Sequence, residues 1–262
     1  MTMLKLSVLN QDNQVLYSQE SEDEVTLAYR GTYNEGDKVR LESNQKNIYI
    51  KIRLDDSLME SIVFLKDYQY EFIIPFYDQK KPYGNKTFIE ERHWGYVSLV
   101  SHQELKNYTN LALNTFDTNI NNCIFPHATT NVSTDNPQFY SRNVIDGIFE
   151  TSLHGSWPHS SWGINKQSDA WLKIDFGKEV TCDCIVIYLR ADFPHDNYWE
   201  YGEIELSNGK TLYINLIKSG KRQEFPIEAQ KIKWIRLKNL RMSEAESLFP
   251  ALSQIMVWGY RC

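Results

Sequence analysis

The stretch Ala170-Trp171-Leu172-Lys173-Ile174-Asp175-Phe176-Gly177 reads as a β-strand running into a turn. Trp171, Ile174 and Phe176 offer large apolar surfaces, each worth about 1.5–3 kcal/mol when fully buried. Asp175-Phe176-Gly177-Lys178 is expected to end the strand. Downstream, further strands are expected over Cys184–Arg190, Tyr201–Leu206, Thr211–Ile217, Ile232–Leu237 and Ile255–Trp258. Asn208-Gly209 is a strong hairpin turn between two of them. Upstream, Asp146-Gly147 forms a tight turn after the apolar pair Val144-Ile145.

Further upstream the reading is again β. Leu4/Leu6/Val8 alternate with Lys5/Ser7, and Ile48/Ile50/Ile52/Leu54 alternate with Tyr49/Lys51/Arg53, the strongest period-2 signal in the chain. Strands are also expected at Val25–Tyr29, Lys38–Glu42, Tyr70–Phe76 and Tyr96–Val100, separated by turns such as Asn34-Glu35-Gly36-Asp37 and Pro82-Tyr83-Gly84-Asn85. Sustained helical periodicity is absent. The polar, Asn-rich segment from Leu105 to Asn122 places a junction between two halves. The expected class is all-β, with two consecutive β-sandwich (jelly-roll) domains over residues 1–107 and 108–262. The second is expected to fold by itself.

Composition agrees with a β-rich binding protein. Of 262 residues 13% are aromatic, with 16 Tyr, 12 Phe and 7 Trp, side chains that favour strands and also serve as exposed stacking platforms. The net charge is −6, and no Lys/Arg stripe is present to neutralise a phosphate backbone, which excludes a general nucleic-acid binder. No apolar run approaches the roughly 18–20 residues of a membrane span. Met1 to Leu6 runs straight into Asn10-Gln11-Asp12-Asn13 without the apolar stretch of a secretory signal, so a cytoplasmic location is expected. Cys182 and Cys184, two apart in a strand, are expected on one face, a poor geometry for a bridge; Cys123 and Cys262 are isolated. All four are expected as reduced thiols.

Several motifs recur in a familiar order: Asn110-Leu111-Ala112-Leu113, Ala128-Thr129-Thr130, Asn143-Val144-Ile145-Asp146-Gly147, Trp162, Ala170 to Gly177, the strand ending in Arg190, and Ser253-Gln254-Ile255-Met256-Val257-Trp258-Gly259. In that order and spacing, residues 108–260 resemble the discoidin family, the coagulation factor V/VIII C-type or galactose-binding-like fold. The resemblance implies a sandwich that binds sugars, lipid headgroups or protein partners through loops at one end. It also implies a structural calcium near Asp146. Here the late acidic position is Gln254, a neutral ligand, and Ile148-Phe149-Glu150-Thr151 lacks the usual small polar residues, so any calcium is expected to be weakly held.

Two loops concentrate candidate chemistry. His154-Gly155-Ser156-Trp157-Pro158-His159-Ser160-Ser161-Trp162 and Arg190-Ala191-Asp192-Phe193-Pro194-His195-Asp196-Asn197-Tyr198-Trp199 hold three of the six histidines and three of the seven tryptophans. A sugar site needs a flat apolar face for the C–H side of the ring and rigid polar groups for its hydroxyls. Trp157, Trp162, Tyr198 and Trp199 are candidate platforms. Arg190 supplies a planar fork of donors, Asp192 and Asp196 accept, and His154, His159 and His195 do either. The resemblance matches His154 and Arg190 to the pair that shares sugar hydroxyls in galactose-binding relatives, and gives Asn197 an amide role. The expected function is non-catalytic carbohydrate binding.

Two alternatives stand beside it. Aromatic-Pro-His occurs at Phe125-Pro126-His127, Trp157-Pro158-His159 and Phe193-Pro194-His195, and three imidazoles with Asp192 or Asp196 would make a transition-metal site for a metal-dependent hydrolase or metal-binding protein. Equally, the aromatic loops would suit a protein-interaction scaffold. Against catalysis, Asp192 and Asp196 are the only local carboxylate pair, and no nucleophile motif or Gly-rich phosphate loop is present.

Overall fold

The alternation in the first half is realised strand by strand. A computed structural model describes residues 1–151, 157–191, 193, 196–245 and 247–262. The first half contains β1 (Met3–Leu9), β2 (Val15–Glu22), β3 (Glu24–Arg30), β4 (Lys38–Ser43), β5 (Ile48–Arg53), β6 (Ser61–Leu65), β7 (Gln69–Ile73) and β8 (Arg92–Leu99). The second contains β9 (Thr109–Asn110), β10 (Ile124–Phe125), β11 (His127–Thr130), β12 (Trp162–Gly163), β13 (Leu172–Leu189), β14 (Trp199–Leu206), β15 (Thr211–Asn215), β16 (Gln223–Met242) and β17 (Ala251–Arg261).

In the first half the sheets β2-β1-β4-β7 and β10-β6-β5-β8-β3 pack over one core. Leu4, Leu6 and Val8 of β1 and Ile50 and Ile52 of β5 are fully buried there, as period-2 alternation requires. Two of these strands carry no alternation to read. β2 is an edge strand paired only with β1 and largely exposed, so its residues are mostly polar. β6 lies between β5 and β10 and is buried at four of five positions, so Ser61-Ile62-Val63-Phe64-Leu65 reads as a plain apolar run.

The second half is one antiparallel network in the order β12-β17-β13-β16-β14-β15, with β11 added on β13 and β9 on β17, wrapped around a single core. The expected strands 171–176 and 184–190 are one strand, β13. Gly177 bends it without ending it. Gly177 has φ +71°, and a Cβ there would lie 2.6 Å from the Phe125 ring, so only glycine fits. Leu172, Ile174 and Phe176 point inward, which puts Trp171 on the opposite parity; it is only partly buried and lies outside the main core, a correction to its expected core role.

A second irregularity sits at Asp183, where β13 shifts register against both β16 and β17 between Cys182 and Cys184. An extra residue in one strand reverses the facing of everything after it. Cys182 joins the main core with Ile185, Ile187 and Leu189, whereas Cys184 packs on the outer face with Val186, Tyr188 and Met256. The two thiols therefore lie on opposite faces of the sheet, not on one.

Past residue 107 the chain first packs back onto the first half. β10 pairs with β6, and Phe116 and Ile124 are fully buried in the first core. The Thr115 amide donates to Ser61 Oγ (3.0 Å), the Tyr70 hydroxyl to the Phe116 carbonyl, and Arg261 to the Ile62 carbonyl (3.2 Å). Between these anchors, fully buried Asp117 accepts hydrogen bonds from His127 Nδ1 (2.8 Å), Asn121 Nδ2 (2.8 Å) and the Ala128 amide (2.9 Å).

Burial alone would pull His127 down, but the hydrogen bond and charge of Asp117 outweigh it and hold the imidazole above its ordinary value. A histidine with a raised folded-state pKa contributes stability that is complete below the unfolded value near 6.5 and is lost as pH rises through the folded value. The melting temperature is expected to fall by a few degrees from about pH 6 to pH 8. That component should disappear in His127→Gln, followed by thermal melts across the same range. An unchanged pH profile in His127→Gln would show that the pair does not couple to folding.

Candidate functional site

At one end of the second sandwich, β13 stops at Leu189 and the chain turns through Arg190. The Arg190 amide donates to the Ala251 carbonyl at the start of β17 (3.0 Å), so the side chain is launched from a fixed sheet edge. Beside it lies an open cavity of about 440 Å³. Its walls come from the 3₁₀ turn Pro137–Phe139, the residues around β12, and the segment 247–251 leading into β17.

Three of the expected site residues meet in this cavity: His159, Arg190 and Asp196. The Arg190 guanidinium lies over the Phe139 ring at 5.6 Å and donates from Nη2 to the Phe249 carbonyl (3.4 Å). Its Nε is buried and has no hydrogen-bond partner among the described residues. Burial lowers the Arg190 pKa from its usual range, opposed by the nearby Asp196 charge. Asp196, itself buried, accepts from the Phe193 amide through Oδ2 (3.3 Å), which fixes the carboxylate in its loop. The cavity thus presents a donor fork, a carboxylate and an imidazole on a rigid frame.

The aromatic wall comes from residues the sequence reading missed. Phe139 lies beneath Arg190, and Phe249 lines the same cavity while remaining 51% exposed. Lys166 Nζ sits 5.0 Å from the centre of the Phe249 ring. The available signal was Leu248-Phe249-Pro250, an apolar run placed in an otherwise polar loop immediately before the last strand.

The expected tryptophan platforms are located elsewhere. Trp162 and Trp199 are fully buried and pack on one another, ring centroids 5.8 Å apart and 32° between planes. Trp162 Nε1 donates to Thr130 Oγ1 (3.1 Å). Neither ring can stack on a ligand. Tyr198 also packs against the core in part. Asn197 is buried and ties down Ser243 and Ser247, its Nδ2 donating to the Ser247 carbonyl (2.5 Å) and its Oδ1 accepting from Ser243 Oγ (2.6 Å), so its amide is spent on structure. Trp157 is half-exposed but lines a different cleft, between the two halves. His154, Asp192 and His195 lie outside the described residues.

Asp146 also faces that other cleft. Burial pushes its carboxyl up to about 7, against the opposing charge of Arg142. Its Oδ1 accepts from the Ile148 amide (2.8 Å), which closes the Asp146-Gly147 turn. Calcium takes six to eight oxygens, roughly, often several of them carboxylate. Among the described residues no three His, Cys, Asp or Glu side chains gather to hold a metal. Gln254, the late position, is a fully buried neutral amide. The late position brings no charge, so any calcium at this turn would have to be held by Asp146 and neutral oxygens. His127, one of the three aromatic-Pro-His imidazoles, is engaged by Asp117.

No family model matches the chain, and no curated protein matches it. Part of it is similar to solved structures. Chitosan-binding module 1 of a chitosanase/glucanase from Paenibacillus sp. IK-5 is 18% identical at a TM-score of 0.42, covering 58% of this chain and 99% of that one. A Streptococcus pneumoniae fucose binding module, SpX-3, is 19% identical at a TM-score of 0.41, covering 58% and 99%. The family 32 module of NanJ from C. perfringens, in complex with galactose, is 14% identical at a TM-score of 0.39, covering 50% and 91%. Likenesses this loose say nothing of a shared ligand.

Proposed function

We propose that the protein binds a carbohydrate, without transforming it, in the cavity at the end of the second sandwich. The observation that carries this reading is the pairing of Arg190, His159 and Asp196 with the half-exposed face of Phe249 in one cavity of about 440 Å³. Sugar hydroxyls need donors and acceptors held at fixed positions, and the ring's C–H face needs an apolar plane. Backbone bonds hold Arg190 and Asp196 in place before any ligand arrives, which lowers the ordering cost of binding. Among the described residues the cavity carries a single carboxylate, Asp196.

Simple sugars are expected to bind with Kd between about 10 μM and several mM, because a shallow site must displace well-hydrated hydroxyls. Arg190→Ala removes a charge-assisted partner worth about 1.5–3 kcal/mol and should weaken binding by roughly tenfold to more than a hundredfold. Phe249→Ala should weaken binding through lost stacking and leave the melting temperature near the native value, since the ring is half-exposed. Calorimetric titration with neutral, acidic and amino sugars checks both. Absence of binding across the panel, or Arg190→Ala binding as tightly as the native chain, would overturn the reading.

A further inference from the structure

A second cleft, separate from the end cavity, lies between the two halves. It holds about 670 Å³, within the range of roughly 300–1,000 Å³ typical of small-molecule sites. The first half supplies Met59, Tyr83 and Gly84, and the second supplies Arg142, Asp146 and Trp157.

Two charge-bearing side chains on this cleft are almost wholly buried, Arg142 at 5% exposure and Asp146 at 4%. Each is anchored except at one atom. Arg142 donates from Nη2 to the Thr115 carbonyl (3.1 Å) and from Nη1 to Asn143 Oδ1 (3.4 Å), and its guanidinium lies 4.9 Å from the centre of the Tyr83 ring. Asp146 Oδ1 is held by the Ile148 amide. What remains is Arg142 Nε and Asp146 Oδ2, both buried and without a hydrogen-bond partner among the described residues. Buried polar atoms of this kind are rare unless something else satisfies them.

An aromatic plane completes the set. The Trp157 ring lies 3.7 Å from where a Cβ on Gly84 would sit, so it packs close to bare backbone, and it is 51% exposed. A fitting ligand offers an acceptor to Arg142 Nε–H, a group able to donate or accept to Asp146 Oδ2, and an apolar face to Trp157. The Arg142 guanidinium keeps its charge here, whereas burial pushes the Asp146 carboxyl up to about 7, so the cleft suits groups that can both donate and accept. Hydroxyl groups both donate and accept, and a hydroxylated ring carries a C–H face.

We propose that this cleft is a second ligand site, for a polyhydroxylated ring of single-sugar size, assembled only where the two halves meet. It stands on different residues from the end cavity and gives the first half a part in recognition.

Met59, one of five methionines, provides a local reporter. The full chain with ¹³C-methyl methionine is titrated with glucose, galactose and N-acetylglucosamine to about 50 mM, well above a millimolar Kd. A saturable shift of the Met59 methyl is expected in the native chain and equally in Arg190→Ala. Trp157→Ala should weaken the response by about tenfold, the size of a good stacking contact, with an unchanged thermal melt. The proposal is overturned if no sugar moves the Met59 methyl, if the shift vanishes in Arg190→Ala, or if Trp157→Ala responds like the native chain. A Met59 shift that persists when no Arg190-dependent binding exists would sustain this site and remove the other.

Discussion

Trp199→Ala is expected to destabilise the second sandwich by about 3–5 kcal/mol, the usual cost of emptying a buried indole site. Trp199 is fully buried at the start of β14 and packs on Trp162, itself fully buried. The neighbours belong to the sheet network and have little freedom to collapse into the space. One consideration moderates the loss: Trp199 Nε1 is buried with no partner among the described residues, so the substitution also removes an unsatisfied donor. At roughly 2–4 °C per kcal/mol for chains of this size, the melting temperature should drop by about 10 °C. Trp157→Ala, on a half-exposed ring, should change it by no more than about 2 °C. Thermal melts followed by circular dichroism compare the two. If Trp199→Ala melted like the native chain while losing ligand, Trp199 would be a recognition residue and the core assignment would fail.

Separating the halves at residue 108 is expected to cost the second half a comparable amount. Phe116 and Ile124 are fully buried against the first core, and a fragment of residues 108–262 would expose both. At about 1.5–3 kcal/mol per side chain, that is roughly 3–6 kcal/mol. The fragment also loses the pairing of β10 with β6 and the anchor from Arg261 to the Ile62 carbonyl. Its melting temperature should lie about 10 °C or more below that of the full chain, measured by scanning calorimetry on both. A fragment that melts within about 3 °C of the full chain would show that the contacts across residue 108 contribute little to stability.

Much of the architecture is legible in local pattern. The alternations at Leu4–Leu9 and Ile48–Leu54 mark real strands with the predicted faces inward, because a pleated strand presents successive side chains to opposite sides whatever surrounds it. Asn208-Gly209 does separate β14 from β15, and Gly209 has φ +87°. Pattern fails where the strand is not half-buried. The exposed edge strand β2 and the covered strand β6 lack alternation for opposite reasons. It fails again at Asp183, since a bulge reverses the facing of every later residue and leaves no mark in composition.

The candidate site divides in the same way. That Arg190, His159 and Asp196 would share one cavity was suggested by their clustering in two short loops, one of them beginning at the end of a strand. Which aromatic residues face solvent was not readable. Indole is as suited to a core as to a platform, and only the packing of β14 against β12 sends Trp199 and Trp162 inward while the 247–251 segment brings Phe249 to the cavity. The sequence by itself determined the strand pattern, the all-β class and the loops rich in functional groups, since these depend on neighbours within a few residues. Tertiary structure alone decided that Phe116 and Ile124 serve the first core, that Asn197 braces a loop, and that Trp157 meets Gly84 across a cleft. Those contacts join residues tens of positions apart, and burial of that kind is set by the whole chain's packing, not by any local period.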